Sequence, residues 1–408
     1  MAGLERSRRI LITGLSSNWG GLLARVLEVD SEIEAIVGID TQDPVHELQR
    51  SEFVRVDTDQ ALLRRVLHAA AIDTVIDTRL VTDSLTLSRA EAHERNVTGT
   101  RNLLVACSGP TSPVRKLVFK SSAHYYGSEQ NDPSFFTEDE VRQRPPRTDV
   151  ERDILAAERV VADFAAANRA TAVTVLRFAD VVGGGLRAAH LALLGLPVVP
   201  AVLGFDPRFQ FIHEDDAIGV LAHVTAQTLP GIYNAAADGV LALSEIVSLL
   251  GKPLLPLLPS CGSEFAAAQL RRLGLPIPLE VLSQLRYGRG LDNRHLKATG
   301  YTYAYTTREA VLKLRAQQRL RPLLRSGGET YRYEREVEEF LRWSPNVRAP
   351  APADGNRAGD DLDEEELIEL ISSLEPRALR ELREYEAATQ ARPNVLAAID
   401  RRLGSRSR

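Results

Sequence analysis

Residues 112–127 read SPVRKLVFKSSAHYYG: an apolar strand with basic residues runs into two serines and an aromatic turn. A hydroxyl at Ser122 can hydrogen-bond a reacting oxygen. An imidazole at His124, two residues on, is a candidate acid/base group. Asp149 and Glu151 are further groups that titrate usefully when desolvated. The plain alternative is that all of these are ordinary loop and helix polars. Ser122 has no G-x-S-x-G elbow around it, so a hydrolase triad has no support. The histidines are scattered and give no metal-ligand spacing.

A second constellation lies near the start, in LITGLSSNWGG. It follows an apolar run of strand length and opens a helical pattern. That context suits a turn whose backbone N–H groups meet a pyrophosphate at a helix N-terminus, where the dipole favours an anion. Gly14 permits the tight turn and Gly20 the close packing of helix on sheet. Ser17 stands where the middle glycine is usual, with Asn18 and Trp19 following. Asp40 closes the strand IVGID, 26 residues after Gly14. A carboxylate there accepts from both ribose hydroxyls of NAD and repels the 2′-phosphate of NADP, so the expected cofactor is NAD. Asp57 ends the next strand, near where the adenine amino group would lie. The alternative is a loop that is merely structural.

These residues need a frame, and the hydrophobic pattern supplies one. Strand-length runs RRILITG, EAIVGID, EFVRVD, DTVIDT, RKLVFKSS and AVTVLRF alternate with helical patterns over about 180 residues. The helices are WGGLLARVLEVD (Leu22, Leu23, Val26, Leu27 and Val29 largely on one side), ALLRRVLHAA, one long helix over NVTGTRNLLVACSG, and DILAAERVVADFAAANRA. The order predicts an α/β fold, a doubly wound parallel Rossmann sheet, with a smaller C-terminal substrate lobe and an appended α-helical tail. The expected division is 1–185 for the Rossmann domain and 186–325 for a substrate-binding lobe interleaved with it. Residues 326–361 are then a linker and 362–408 a tail module. Within the tail, stripes at Leu362, Leu367, Leu370 and Ile371, at Leu379, Leu382 and Tyr385, and at Val395, Leu396, Ile399 and Leu403 predict three short helices too small to bury much core alone.

The bulk properties narrow the partners. The net charge of −5 gives no support to nucleic-acid binding. Cys107 and Cys261 are far apart and read as reduced, buried thiols. The N-terminus lacks the apolar region of a signal peptide, and LALLGLPVVPAVLGF is too short and too broken by Pro197 and Pro200 to span a bilayer. The expected location is therefore cytoplasmic.

With these pieces placed, the chain resembles the extended short-chain dehydrogenase/reductase family over about residues 8–320. Within it, the likeness is to the NAD-dependent epimerase/dehydratase group that acts on nucleotide sugars. TGLSSNWG is similar to TGxxGxxG. NVTGTRNLL matches the family's N-V-x-G-T-x-N-L-L helix, with Asn96 at its structural asparagine. VFKSSAHYYG is similar to the strand ending in SSxxxYG, which implies that Ser122 is the catalytic serine and Tyr126 the structural tyrosine. LRFADVVGGG resembles LRxxNVYGP, putting Asp180 at the substrate-contacting asparagine. RFQFIHEDDAIG resembles RDFIHVDDV near the substrate, with Arg208, His213 and Asp216 in matching places, and GIYNAAAD is similar to a VYNxG turn. The narrowest likeness is to actinobacterial UDP-glucose 4-epimerase-like proteins. The resemblance implies a nucleotide-sugar partner and a homodimer built from NVTGTRNLLVAC and DILAAERVVADF. The tail, docked on a protein partner or on the main body, is a separate expectation.

The family's chemistry needs Tyr and Lys four apart on one helix face. The tyrosine moves the proton while hydride passes to or from nicotinamide, and the lysine lowers the tyrosine pKa from its usual ~10. Aligning DVERDILAAERVV with YxxSKxxxE puts Val150 at the tyrosine and Ile154 at the lysine. A shift of register does not rescue the pair, because tyrosine is absent from 127 to 232 and lysine from 121 to 251. Three readings stay open: an NAD-binding protein without catalysis, an enzyme with substituted acid/base groups such as His124, and a cofactor-free scaffold acting through its tail.

Overall fold

The structure is a computed structural model. It describes residues 6–56, 59–85, 87–183, 189–258, 279–320, 368, 371, 376–388 and 391–404. Met1–Leu312 form one compact unit and Lys313–Arg408 a second.

The first unit is built on seven parallel strands. They are β1 (Arg9–Thr13), β2 (Ala35–Asp40), β3 (Ser51–Arg55), β4 (Thr74–Asp77), β5 (Lys116–Ser122), β6 (Ala172–Phe178) and a last strand, Gly231–Ala235, that pairs with β6. The order across the sheet puts Gly231–Ala235 at one edge, followed by β6, β5, β4, β1, β2 and β3. Chain direction across the sheet reverses between β1 and β4, and such a switch point opens a crevice beyond the strand C-termini. Strands buried on both faces read as continuous apolar runs, which is why the alternation of helix and strand was legible. Ile10, Ile12, Ile76, Val118 and Leu176 share one core, with Leu23. Leu11, Val75, Leu117, Phe119 and Val175 share the other, with Leu63, Leu104, Ile154 and Val161. The strand Gly231–Ala235 comes from the half expected to form the substrate lobe, so that half completes the large sheet. Its other strands form only two-stranded pairs.

The helix α1 (Asn18–Leu27) starts at the β1 turn, with Ser17 as its N-cap. It buries Gly20, Gly21, Leu23, Ala24 and Leu27. Val26 and Val29, expected on that face, are 47% and 85% exposed. The close packing centres on Gly20 and turns the helix a step away from the face that an apolar count selects. The helix expected over NVTGTRNLLVACSG also differs. Residues Glu94–Gly99 form a π-helical turn, and only Thr100–Cys107 is α-helical. Asn96 sets the wider turn: its amide donates to the Val81 carbonyl at 2.9 Å and accepts from the Val81 N–H at 2.7 Å. The helix α5 (Asp149–Ala167) is capped by Thr148. It is tied to the sheet by Arg177, whose guanidinium donates to Glu158 at 2.7 Å, and by Ser121, which donates to the same carboxylate.

In the second unit, helices Pro376–Ala388 and Pro393–Gly404 bury Leu379, Leu382, Val395 and Ile399 together with Ile371. A part-buried ion pair between Glu386 and Arg392, at 2.7 Å, ties the first helix to the residue that precedes the second. Leu362, Leu367, Leu370, the 326–361 linker, Cys261 and Asp57 lie outside the described residues. Cys107 is buried, and burial pushes its thiol up to about 12.

Candidate active site

The switch-point crevice is framed by the turn after β1. Gly14 has φ +78°, a left-handed conformation that side-chain-bearing residues rarely adopt. A Cβ on Gly20 would lie 2.3 Å from the Gly14 carbonyl oxygen, so only glycine lets α1 pack this closely on the turn. Ser17 fills the middle position with a hydroxyl turned inward. It donates to the Gly14 carbonyl at 2.6 Å and accepts the Gly20 N–H at 3.2 Å. Asn18 meets His46 at 3.0 Å. Asp40 stands at the end of β2 and accepts the Ser16 and Thr41 N–H groups at 3.1 and 2.8 Å. The Ser16 hydroxyl also bonds to it, and Arg95 lies 3.8 Å away.

On the other side of the crevice, Thr13 bridges β1 to β4 by donating to Asp77 at 2.6 Å. Arg79 clasps the same carboxylate through two bonds of 3.0 Å and reaches the Gly99 carbonyl. Deeper in, the Lys120 amine donates to the Leu80 carbonyl at 2.8 Å and lies 4.7 Å from the centre of the Trp19 ring. Trp19 in turn meets Phe178 edge to face at 5.1 Å. Burial pushes the Lys120 ammonium down to about 8, against the opposing pull of Asp77 and Asp83. Asn96, read as part of the cofactor set, spends both ends of its amide on Val81.

At the end of β5, Ser122 and His124 come together. The Ser122 hydroxyl lies 2.9 Å from His124 Nδ1, and both side chains are buried. Tyr126 closes the turn. It donates to Asn234 at 2.8 Å and accepts from Arg177 at 2.9 Å, and burial raises its phenol to about 12. The carboxylates considered as acid/base groups are engaged elsewhere. Glu151 pairs with buried Arg142 at 2.7 Å, and Asp149 pairs with Arg89 at 2.9 Å and with Arg152. Val150 and Ile154 are 7% and 0% exposed and lie in the core with Leu103, Ala157 and Val161.

Beyond this turn lies a cavity of ≈ 530 Å³, walled by Phe205, Arg208, Arg286, Tyr287 and Arg289 among others. Asp180 lies 3.9 Å from Arg289. His213, expected to touch substrate, caps the helix Glu214–Ala226: its Nδ1 accepts the Asp215 N–H at 3.3 Å. Asp216 accepts the N–H groups of Ala304 and Tyr305.

The sequence is matched over residues 10–236 by the NAD dependent epimerase/dehydratase family. The chain belongs to this family. An uncharacterized Mycobacterium tuberculosis protein is 32% identical over 309 residues, 74% of this chain and 81% of the relative. Solved structures share the family fold at lower identity. MoeE5 in complex with UDP-glucuronic acid and NAD superposes with TM-score 0.58 at 20% identity, over 74% of this chain and 96% of that one. Thermotoga maritima UDP-glucose 4-epimerase with UDP-glucose gives TM-score 0.58 at 16% identity, over 76% and 98%.

Within this epimerase/dehydratase fold, the structure gathers Gly14, Ser17, Asn18, Trp19, Gly20 and Asp40 around one turn. Ser122 and His124 form a second group, and Arg208 sits on the cavity wall. Four ordered residues escaped the sequence reading: Arg79, Lys120, Arg142 and Arg289. Lys120 had a signal, being one of only five lysines and two residues before Ser122. The arginines had none, because arginine is abundant along this chain.

Proposed function

We propose that this chain is an NAD-binding member of the epimerase/dehydratase family that recognises a nucleotide sugar and has lost the tyrosine–lysine proton relay. The observation that carries the reading is on α5. Val150 and Ile154, at the positions where alignment expects tyrosine and lysine, are apolar and packed into the core. The dinucleotide fit is supported by the left-handed Gly14 and by the Gly20 contact that a Cβ would fill. Gly14, Ser17, Asn18, Trp19 and Gly20 would hold the pyrophosphate at the N-terminus of α1. Asp40 accepts from the N–H and hydroxyl of both Ser16 and Thr41, and a ribose hydroxyl would displace the weakest of the four, the Thr41 hydroxyl at 3.5 Å. NAD, when bound, supplies a hydride acceptor. Ser122 would hydrogen-bond a sugar oxygen, and Trp19 and Lys120, 4.7 Å apart, would line the floor of the crevice.

A second reading has its own observation. The 2.9 Å contact between Ser122 and His124 gives the hydroxyl a titratable partner, so a divergent enzyme would use His124 as the acid/base group. Titration calorimetry with NAD and NADP tests the shared premise. One NAD per chain is expected, at least ~10-fold tighter than NADP because Asp40 repels a 2′-phosphate. Absence of NAD binding would leave only a cofactor-free scaffold.

A further inference from the structure

The cavity beyond the Ser122–Tyr126 turn carries an imbalance. Its carboxylates are engaged: Glu129 accepts from Arg147 at 2.7 Å, Asp132 accepts the Glu129 N–H at 2.6 Å, and Asp206 accepts from Ser244 at 2.6 Å. Two of its arginines each keep one nitrogen unpaired. Arg286 Nε and Arg289 Nη2 are buried without a hydrogen-bond partner among the described residues. The Arg289 side chain is 5% exposed, and a donor left unpaired at such depth is costly. Its Nη1 donates to the Gly127 carbonyl at 3.3 Å, which fixes the guanidinium beside the Ser122–Gly127 turn. Asp180 lies 3.9 Å from Nη2, too far to satisfy it by a direct hydrogen bond. Burial lowers the Arg289 pKa and Arg142 adds to that, while Asp180, Glu151 and Asp132 oppose it. An oxyanion would supply the missing acceptor.

The two orphaned donors belong to separate arginines lining the cavity. Arg286 sits 5.8 Å from the Phe205 ring centre, in a lining that also holds Arg208 and Tyr287. That wall suits a base and a diphosphate. Arg289 is tied to the turn that carries Ser122, where the sugar itself would lie. We propose that Arg289 is a specificity-determining residue that binds a carboxylate on the sugar, so that the preferred ligand is the nucleotide derivative of a uronic acid. This deepens the nucleotide-sugar reading and rests on it. A guanidinium fork presents parallel N–H groups to a carboxylate, and a neutral hydroxymethyl group cannot replace that pairing.

The test uses the full-length, NAD-saturated protein and calorimetric titration with UDP, UDP-glucose and UDP-glucuronic acid. UDP-glucuronic acid is expected to bind at least ~10-fold more tightly than UDP-glucose. Arg289→Gln is expected to abolish that preference, and Arg289→Lys to keep part of it. Equal wild-type affinity for the two sugars overturns the proposal without any variant. A preference that survives Arg289→Gln overturns the assignment to Arg289. Binding of UDP with no discrimination between the sugars removes only this proposal. Failure of all three ligands removes the nucleotide-sugar reading with it.

Discussion

Lys120 shows how one residue links the site to stability. Its ammonium is buried under Trp19, and its pKa falls from 10.5 to about 8. Between those values the unfolded chain holds a proton that the folded chain has released. Stability from this group therefore rises with pH across the window and is at its lowest below about pH 8. Replacing Lys120 by Met removes the effect. The stability of wild type relative to Lys120→Met is expected to climb by up to ~3 kcal/mol between pH 8 and 10.5, measured by chemical denaturation at several pH values. A flat difference would mean that the amine is solvated in the native state. The cost of burying the amine is the kind of local conflict expected at a ligand-facing position. This residue was visible in the sequence, yet its burial depends on the Leu80 carbonyl and on Trp19 meeting it across the crevice.

At the scale of elements, the parts read correctly from sequence are those fixed locally. The β1 turn was legible because Gly14 and Gly20 act through backbone conformation and contact within a few residues. The π-helical turn at Glu94–Gly99 was not, because its cause is tertiary: Asn96 is anchored to Val81, and Arg79 reaches the Gly99 carbonyl. The same is true of Arg289, whose partner Gly127 lies more than 150 residues away. Val26 shows the limit of counting apolar residues, since packing at Gly20 decided which face of α1 was buried, while Val29 lies beyond the helix end at Leu27. Asn96→Ala strips two hydrogen bonds from the half-buried Val81 backbone. It is expected to cost about 2–4 kcal/mol, taking ~1–2 for each stranded group, and to lower the melting temperature measured by calorimetry. A change under 0.5 kcal/mol would show that water replaces the amide.

The whole molecule joins a Rossmann unit to a helical unit held by the Glu386–Arg392 ion pair and a small apolar core. Among the described residues no helix is long and apolar enough to cross a membrane. We propose a homodimer through helices Thr100–Cys107 and Asp149–Ala167, whose outward side includes half-exposed Val105. Sedimentation at micromolar concentration is expected to give a dimer, and Val105→Glu to shift it toward monomer. A wild-type monomer would remove the four-helix interface.

The central claim is that the dinucleotide turn is kept while the proton relay on α5 is gone. The most direct measurement is absorbance at 340 nm after UDP-glucose or UDP-glucuronic acid is mixed with the NAD-saturated protein. The account predicts no NADH signal and unchanged sugar. A rise in NADH, or an epimerised or dehydrated product at catalytic turnover, would contradict it.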